Sequence, residues 1–575
     1  MSCIRPTLAM IMAGIALASA FATGCRRSEG STPPIEWLSY RHDQTRTGQQ
    51  PINNALSNPT TVLASLHVVW GSPGSVTWTS PTMPGPYRAS PIVVDANKTL
   101  YIGDLNGVLW AIDATTGAFR WRYPATGPGL NGTCTNYGKY GISSAASYAV
   151  VNNEAAIIFG APDPDPGTDG GRGSGRLWAV DANTGRLIWK SDVVAHVTGC
   201  TPNNRTELHQ RITNSAPMVS LLFNGPARVF VGVSDTQDDP VQKGQLAAIN
   251  LTNGHTASGF PFLVVGSPTD PHCGGVCGGA IWDAPASVDG ASIIFTTGNV
   301  CLNNVAGAPP CETEPSPDYS LSMVSVNMSS GALNWSFRAV PFALDSDLDW
   351  AAGPTAMGTS CGSLLGSVQK DGHTYAISKT DGSCKWQFPP TAGSSCRFPS
   401  TATIAGGEYH APGASWGNSL IIETGGYALT SDGPVAGYGL LHALNACSPE
   451  SSRVRWIAAP EPSVVGQSSP PLGAPVVSGG MVYVTTSNGH LVALADPTIA
   501  TPAGYTCSNV NFGPPSTNWQ QNCVNAGYSV VPVPRSRDVA LPDGGNAAVL
   551  RMEPAIALNM LYVATEGGHI YALSP

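Results

Sequence analysis

One short pattern recurs along the chain and restricts its fold more than any other feature. Ala-x-Asp-x-x-Thr-Gly-x-x-x-Trp occupies residues 111–121 and again 179–189. Looser copies follow at Ala248, Asn250 and Gly254, at Ser325, Asn327, Gly331 and Trp335, at Ala376, Ser378, Gly382 and Trp386, and at Ala443, Asn445 and Trp456. Two abbreviated copies close the series, Asn488-Gly489-His490-Leu491-Val492-Ala493-Leu494 and Gly567-Gly568-His569-Ile570-Tyr571-Ala572-Leu573, making eight units. Around each copy lie apolar runs of strand length separated by turn signals. In the first unit these are Ser90-Pro91-Ile92-Val93-Val94, Leu100-Tyr101-Ile102-Gly103, the turn Asn106-Gly107, and Leu109-Trp110-Ala111-Ile112-Asp113. A fixed period of small β-units indicates a repeat architecture. One such sheet cannot bury both faces alone, whereas radial packing buries them and protects the edges. The expected fold is all-β, a single eight-bladed β-propeller.

The residue types explain the pattern. The small residue lets neighbouring sheets approach. The Asp or Asn accepts hydrogen bonds from turn N–H groups, the Gly takes positive φ, and the Trp presents a large apolar face to the adjoining unit. Composition agrees: charged residues are 11% of the 575, with 65 Gly and 49 Pro, which suits short strands and tight turns. The net charge of −9 and the absence of a basic run argue against a nucleic-acid surface.

The N-terminus reads as a targeting segment. Arg5 precedes an apolar stretch from Leu8 to Ala22 that is too short for a membrane span. Ala22-Thr23-Gly24-Cys25 is similar to a bacterial lipoprotein cleavage box. Residues 1–25 are therefore expected to be a signal peptide with Cys25 as the lipidated residue, and 26–36 a tether before the propeller at 37–575. That implies export to the periplasm or cell envelope, with the outer membrane favoured and membrane contact only through the lipid. An ordinary cleaved signal is the alternative. Of 14 Cys, twelve remain once Cys3 and Cys25 are set aside, an even number that suits disulfides in an exported chain. Cys301/Cys311 and Cys507/Cys523 would close short loops, and Cys134/Cys200 is a further candidate. His272-Cys273 with Cys277 lacks the second half of a metal site. There is no Cys-x-x-Cys-His, so no covalently attached haem is expected. Residues 499–552 do not fit the repeat and read as a disulfide-pinned cap on one face. Gly413-Ala414-Ser415-Trp416-Gly417 matches Gly-x-Ser-x-Gly, but a strand follows it where a nucleophile elbow needs a helix.

The repeat resembles the tryptophan-docking motif of the pyrroloquinoline quinone (PQQ) propeller superfamily, over roughly residues 36 to 575. Tyr40-Arg41-His42-Asp43 and Arg46-Thr47-Gly48 are similar to the opening segment of such propellers. The resemblance implies that the segment ending at Trp70 completes the last blade. It also implies a site. Asn299, in Thr297-Gly298-Asn299, would give an amide oxygen to calcium, a hard cation. Trp282 would lie under the flat quinone. Lys370, in Lys370-Asp371-Gly372 where alcohol dehydrogenases have Lys-Asn-Gly, would contact the quinone oxygens. Asp349, in Asp345-Ser346-Asp347-Leu348-Asp349-Trp350, would be the catalytic base. Each also has a plain reading as a turn, core or solvated residue. Gln369-Lys370-Asp371-Gly372 and Asp347-Leu348-Asp349-Trp350 are most similar to the polyvinyl-alcohol and alcohol dehydrogenase branch without a cytochrome c domain.

Two departures stand out. The family's calcium carboxylate is a Glu, where this chain has Asp239. The usual cofactor-clamping Arg is replaced by Lys139, a point charge without a fork. The resemblance thus implies oxidation of a small alcohol or polyol with PQQ and calcium, electrons passing to an external acceptor. The alternative is a cofactor-free propeller lipoprotein that scaffolds envelope proteins or binds protein or polysaccharide.

Overall fold

The computed structural model describes residues 35–72, 84–134, 140–200, 210–212, 215–220, 226–234, 244–266, 278–287, 289–299, 318–341, 348–350, 352–371, 373–388, 396, 411–424, 427–430, 433–436, 440–458, 473–486, 489–507, 524, 529–542 and 552–575. Cys25, Lys139, Asp239, Cys301, Cys311 and Cys523 lie outside the described residues.

Each of the eight units forms an antiparallel blade of four consecutive strands or their equivalent. Blade 1 runs from Ile92–Val94 to Phe119–Tyr123, blade 2 from Ser147–Val151 to Leu187–Lys190, and blade 3 from Met218–Ser220 to Phe262–Leu263. Blade 4 runs from Ala286–Ser287 to Leu333–Arg338, blade 5 from Thr355–Thr359 to Cys384–Phe388, and blade 6 from Ala414–Trp416 to Val454–Ala458. Blade 7 runs from Val476–Ser478 to Arg535–Ala540, and blade 8 from Ala555–Ala557 to Ile570–Ser574. The chain's early strand His67–Ser72 pairs antiparallel with Ile570–Ser574 and closes the ring.

The Trp of one blade docks on the turn Gly of the next. A Cβ at Gly185 would fall 2.7 Å from the Trp121 ring, and one at Gly382 would fall 2.6 Å from Trp335, so only Gly fits there. Gly185, with φ +72°, also holds the left-handed conformation the turn requires. The indole N–H groups complete the contact. Trp189 donates to Leu251 O at 3.0 Å, Trp335 to Lys379 O at 3.1 Å, and Trp386 to Ala446 O at 3.0 Å. The abbreviated eighth unit lacks a Trp because Trp70 supplies it. The Trp70 ring would meet a Cβ at Gly117 of blade 1 at 2.6 Å. Blade 3 has no docking Trp, and Phe260 stands against Gly331 of blade 4 instead.

Much of the stretch 499–552 lies outside the described residues, and its described parts belong to the blades' outer edge. Gly504–Cys507 pairs with Val530–Val533 as a separate hairpin, which lies beside the outer strand of blade 6. Arg535–Ala540 then returns as the outer strand of blade 7. Cys134 is bonded to Cys200. Two further disulfides, Cys361–Cys447 and Cys384–Cys396, were not among the expected pairs; the first joins blade 5 to blade 6. The expected pairs Cys507/Cys523 and Cys301/Cys311 involve residues outside the described ones.

The segment from Ile35 to Gln50 runs through the centre of the ring and touches every blade. Leu558 donates to Ile35 O, Tyr148 to Leu38 O, Ser287 to Gln44 O, Ala356 to Thr45 O, Ser415 to Thr47 O and Val477 to Gly48 O. Trp37 and Val93 exchange both backbone bonds. Tyr40 packs on Ala145, Ala216 and Ala284, just before the inner strands of blades 2, 3 and 4. The path needs sharp turns, and Arg41, His42 and Arg46 all sit at positive φ (57°, 75° and 56°). Such strain persists only where the surroundings over-determine it. Ile35 is already hydrogen-bonded to blade 8, so the propeller body begins within the stretch expected to be tether.

Candidate active site at the junction of blades 4 and 5

Two kinds of segment lie on the face where the second strand of each blade ends: the chain leading into each innermost strand, and the turn after each second strand. Trp282 and Asp283 belong to the lead-in of blade 4, and Asp349 to that of blade 5. Asn299 follows the second strand of blade 4 (Ser292–Thr296), and Lys370 that of blade 5 (Gly362–Val368).

Backbone bonds tie these four segments together. Gly298 donates to Ala280 O (2.6 Å) and Gly279 to Asn299 O (2.8 Å). Trp350 donates to Thr297 O (3.4 Å), and Lys370 to Asp349 O (3.0 Å). Gln369 Nε2 donates to Leu348 O at 2.9 Å. The half-buried Trp282 lies against Gly298, where a Cβ would stand 3.1 Å from its Nε1. Asn299, Asp349 and Lys370 are all buried. The ammonium of Lys370 stands 2.7 Å from Asp349 Oδ1, and the Asp349 side chain has no solvent exposure. Four of the residues singled out in the sequence, Trp282, Asn299, Asp349 and Lys370, therefore meet at one junction. Lys139 and Asp239 lie outside the described residues.

Several residues there carried no recognised signal. Asp371 accepts from Tyr375 OH (2.5 Å) and from His373 N–H (2.8 Å), which fixes the turn that carries Lys370. Asp283, next to Trp282, accepts from Gly353 N–H (2.7 Å) and Ala284 N–H (2.6 Å). Burial pushes its carboxyl up; those bonds and the guanidinium groups of Arg41 and Arg46 pull it down. Beneath it the axial segment forms the floor. Arg46 Nε donates to Pro285 O at 3.0 Å. Arg41 pairs with Glu553 at 2.9 Å, both side chains being fully buried, and donates to Pro475 O and Gly413 O. Burial raises Glu553, and Arg41 opposes that rise. The only sequence sign of this floor was the cluster of Arg and Asp in the opening segment, which has no periodicity to report its partners.

The site thus offers an aromatic face, a buried amide oxygen, and an ammonium paired with a carboxylate, close to the buried Arg41 and Arg46 of the opening segment. That set suits a planar, oxygen-rich ligand together with a hard cation. Among the described residues no group of three or more His, Cys, Asp and Glu side chains is positioned to hold a metal, and no helix is long and apolar enough to cross a membrane.

The architecture is that of an eight-bladed β-propeller. The family model for the glucose/ethanol/alcohol dehydrogenase β-propeller domain matches residues 37–389, and the chain belongs to this PQQ-type family. Among solved structures it is similar to the quinohemoprotein alcohol dehydrogenase of Comamonas testosteroni, at a TM-score of 0.61 and 15% identity, over 94% of this chain and 80% of that one. It is similar to a europium-containing methanol dehydrogenase at a TM-score of 0.61 and 16% identity, over 94% and 98% of the two chains. The quinohemoprotein alcohol dehydrogenase ADHIIG of Pseudomonas putida HK5 gives 0.60 and 15%, over 94% and 80%. At these identities the likeness speaks for the fold. No curated protein matches the chain.

Proposed function

We propose that the protein is a quinoprotein dehydrogenase that binds PQQ at the junction of blades 4 and 5 and oxidises a small alcohol or polyol. The observation that carries this reading is the convergence of Trp282, Asn299, Asp349 and Lys370, on four separate segments, at one buried junction. Bound there, the quinone would supply a two-electron acceptor for hydride. Trp282 provides the flat apolar face. Asn299 provides an amide oxygen for calcium, with Asp239 as the proposed carboxylate ligand. Lys370 and Lys139 provide positive charge toward the quinone oxygens. Asp349 takes the substrate hydroxyl proton. Its 2.7 Å pairing with Lys370 orients the carboxylate in a buried setting. With no haem motif in the chain, the electrons would leave to an external acceptor.

The test uses purified mature protein with PQQ and calcium. A saturable quenching of tryptophan fluorescence, and dye reduction with simple alcohols or polyols, are expected. Absence of bound quinone at saturating cofactor overturns the reading. We also propose that Cys25 is lipidated after export. Labelled palmitate should then appear in the protein and be lost in Cys25→Ser; unlabelled wild-type protein refutes the anchor.

A further inference from the structure

Gly413-Ala414-Ser415-Trp416-Gly417 spans the first strand of blade 6, Ala414–Trp416. Trp416 stands at the tip of the hairpin to the second strand and pairs with Ser419. The candidate active site lies where second strands end, so Trp416 marks the opposite end of its blade. Its ring crosses the seam to blade 7. A Cβ at Gly480, in the corresponding turn of blade 7, would stand 2.9 Å from the Trp416 ring and 3.1 Å from Ile499 Cδ1. Ile499 opens the stretch that does not fit the repeat. Two departures from the repeat therefore meet at one seam. A cavity of about 340 Å³ lies there, lined by Trp416, Gly417, Asn418, Asn445, Arg455 and Thr498.

Its polar walls are held in place. Asn418 Oδ1 accepts from Ser360 N–H and its Nδ2 donates to Ser360 Oγ, both at 2.9 Å. Asn445 Oδ1 accepts from Cys447 N–H at 3.0 Å. Arg455 donates to Ser419 Oγ and pairs with Asp496 at 3.4 Å. The Asp496 side chain has no solvent exposure, and it also accepts from the Trp456 indole (2.8 Å) and from the N–H and O–H of Thr498 (2.9 and 2.6 Å). The Arg455 charge is thus already met. Three donors are left over. Among the described residues nothing accepts from the Trp416 indole N–H, the Asn445 amide NH2 or the Arg455 Nε–H, and all three residues are half-buried. An aromatic face with free N–H donors and no net charge suits a neutral ligand that is apolar on its face and oxygen-rich at its rim. A sugar ring has that build. An anion would need an unpaired cation, which the cavity does not offer.

We infer that the seam between blades 6 and 7 is a saccharide-binding site that takes one neutral sugar ring against Trp416. It is separate from the candidate active site and does not rest on the function proposed above. Gly417 and Thr498 are exposed and leave the cavity open to solvent. A free monosaccharide and one ring of a glycan chain offer the same chemistry, so the test separates the two sources.

The purified mature protein would be titrated by calorimetry with glucose, galactose, N-acetylglucosamine, cellotriose and chitotriose. At least one is expected to bind saturably. Trp416→Ala should weaken that binding at least about ten-fold, and Trp416→Phe should keep part of it because an aromatic face remains. Asp349→Asn should bind the sugar as the wild type does. Absence of saturable binding of all these sugars to wild-type protein overturns the proposal, and this arm needs no variant to fold. Unchanged affinity in a folded Trp416→Ala does the same. Binding kept in Trp416→Ala but lost in Asp349→Asn would put the sugar in the candidate active site, which overturns this site and leaves the proposed function standing. A trisaccharide that binds tighter than its own monosaccharide supports the site with a glycan chain as the source; equal affinities support it with the free sugar.

Discussion

Arg41→Ala should destabilise the propeller by about 3–5 kcal/mol, the usual cost of leaving one partner of a buried ion pair uncompensated. Three features make this position so sensitive. Glu553 has no solvent exposure, and its carboxylate receives both the backbone N–H of Arg41 (2.6 Å) and the guanidinium (2.9 Å). The same guanidinium bonds to carbonyls in the lead-ins of blades 6 and 7, so one side chain joins three blades. Arg41→Lys should recover little, because an ammonium cannot reach the three acceptors in a planar fork. A paired Arg41→Met, Glu553→Leu variant should recover much of the loss, since replacing both charges by apolar groups is often close to neutral. Urea unfolding would measure each difference.

The pH dependence has a definite sign. Burial already raises the Glu553 carboxyl in the intact protein, and loss of Arg41 removes the charge that opposes the rise. A raised carboxyl contributes stability below its unfolded value, about 4.3, and loses it as pH rises through the folded value. The deficit of Arg41→Ala should therefore shrink as the pH falls from 8 toward 5. A deficit that is flat with pH would mean that Glu553 is not the group left exposed to the loss.

Asp349→Asn should lower turnover by about 10²–10⁴, the usual contribution of a general base. Asparagine keeps the shape and the backbone bond to Lys370 N–H but cannot accept the substrate proton. Cofactor binding, followed by tryptophan quenching, should persist because Trp282 and Lys370 remain. Lys370 would be released from its 2.7 Å pairing, so affinity for an electron-rich quinone should hold or rise. Dye reduction at the wild-type rate would remove Asp349 from the base role. Loss of quinone binding alongside turnover would make it a structural residue of the Lys370 turn.

The sequence determined the repeat and pointed to candidate site residues. Eight units, their strand signals and their docking Trp residues could be read because each unit's partner is its neighbour in the chain, so local periodicity reports tertiary packing. Trp282, Asn299, Asp349 and Lys370 were singled out by their resemblance to the family's short motifs, which local sequence can carry. What only the tertiary structure decided involves contacts between segments far apart in sequence. Arg41 and Glu553 are 512 residues apart, and neither sits in a repeat, so no pattern links them. The resemblance had already assigned the segment ending at Trp70 to the last blade, and the structure adds the turn at Gly117 on which its ring docks. Asp349 and Lys370 were read as separate functional groups, yet burial in one junction makes them a pair, because two opposite charges removed from water are stable chiefly together.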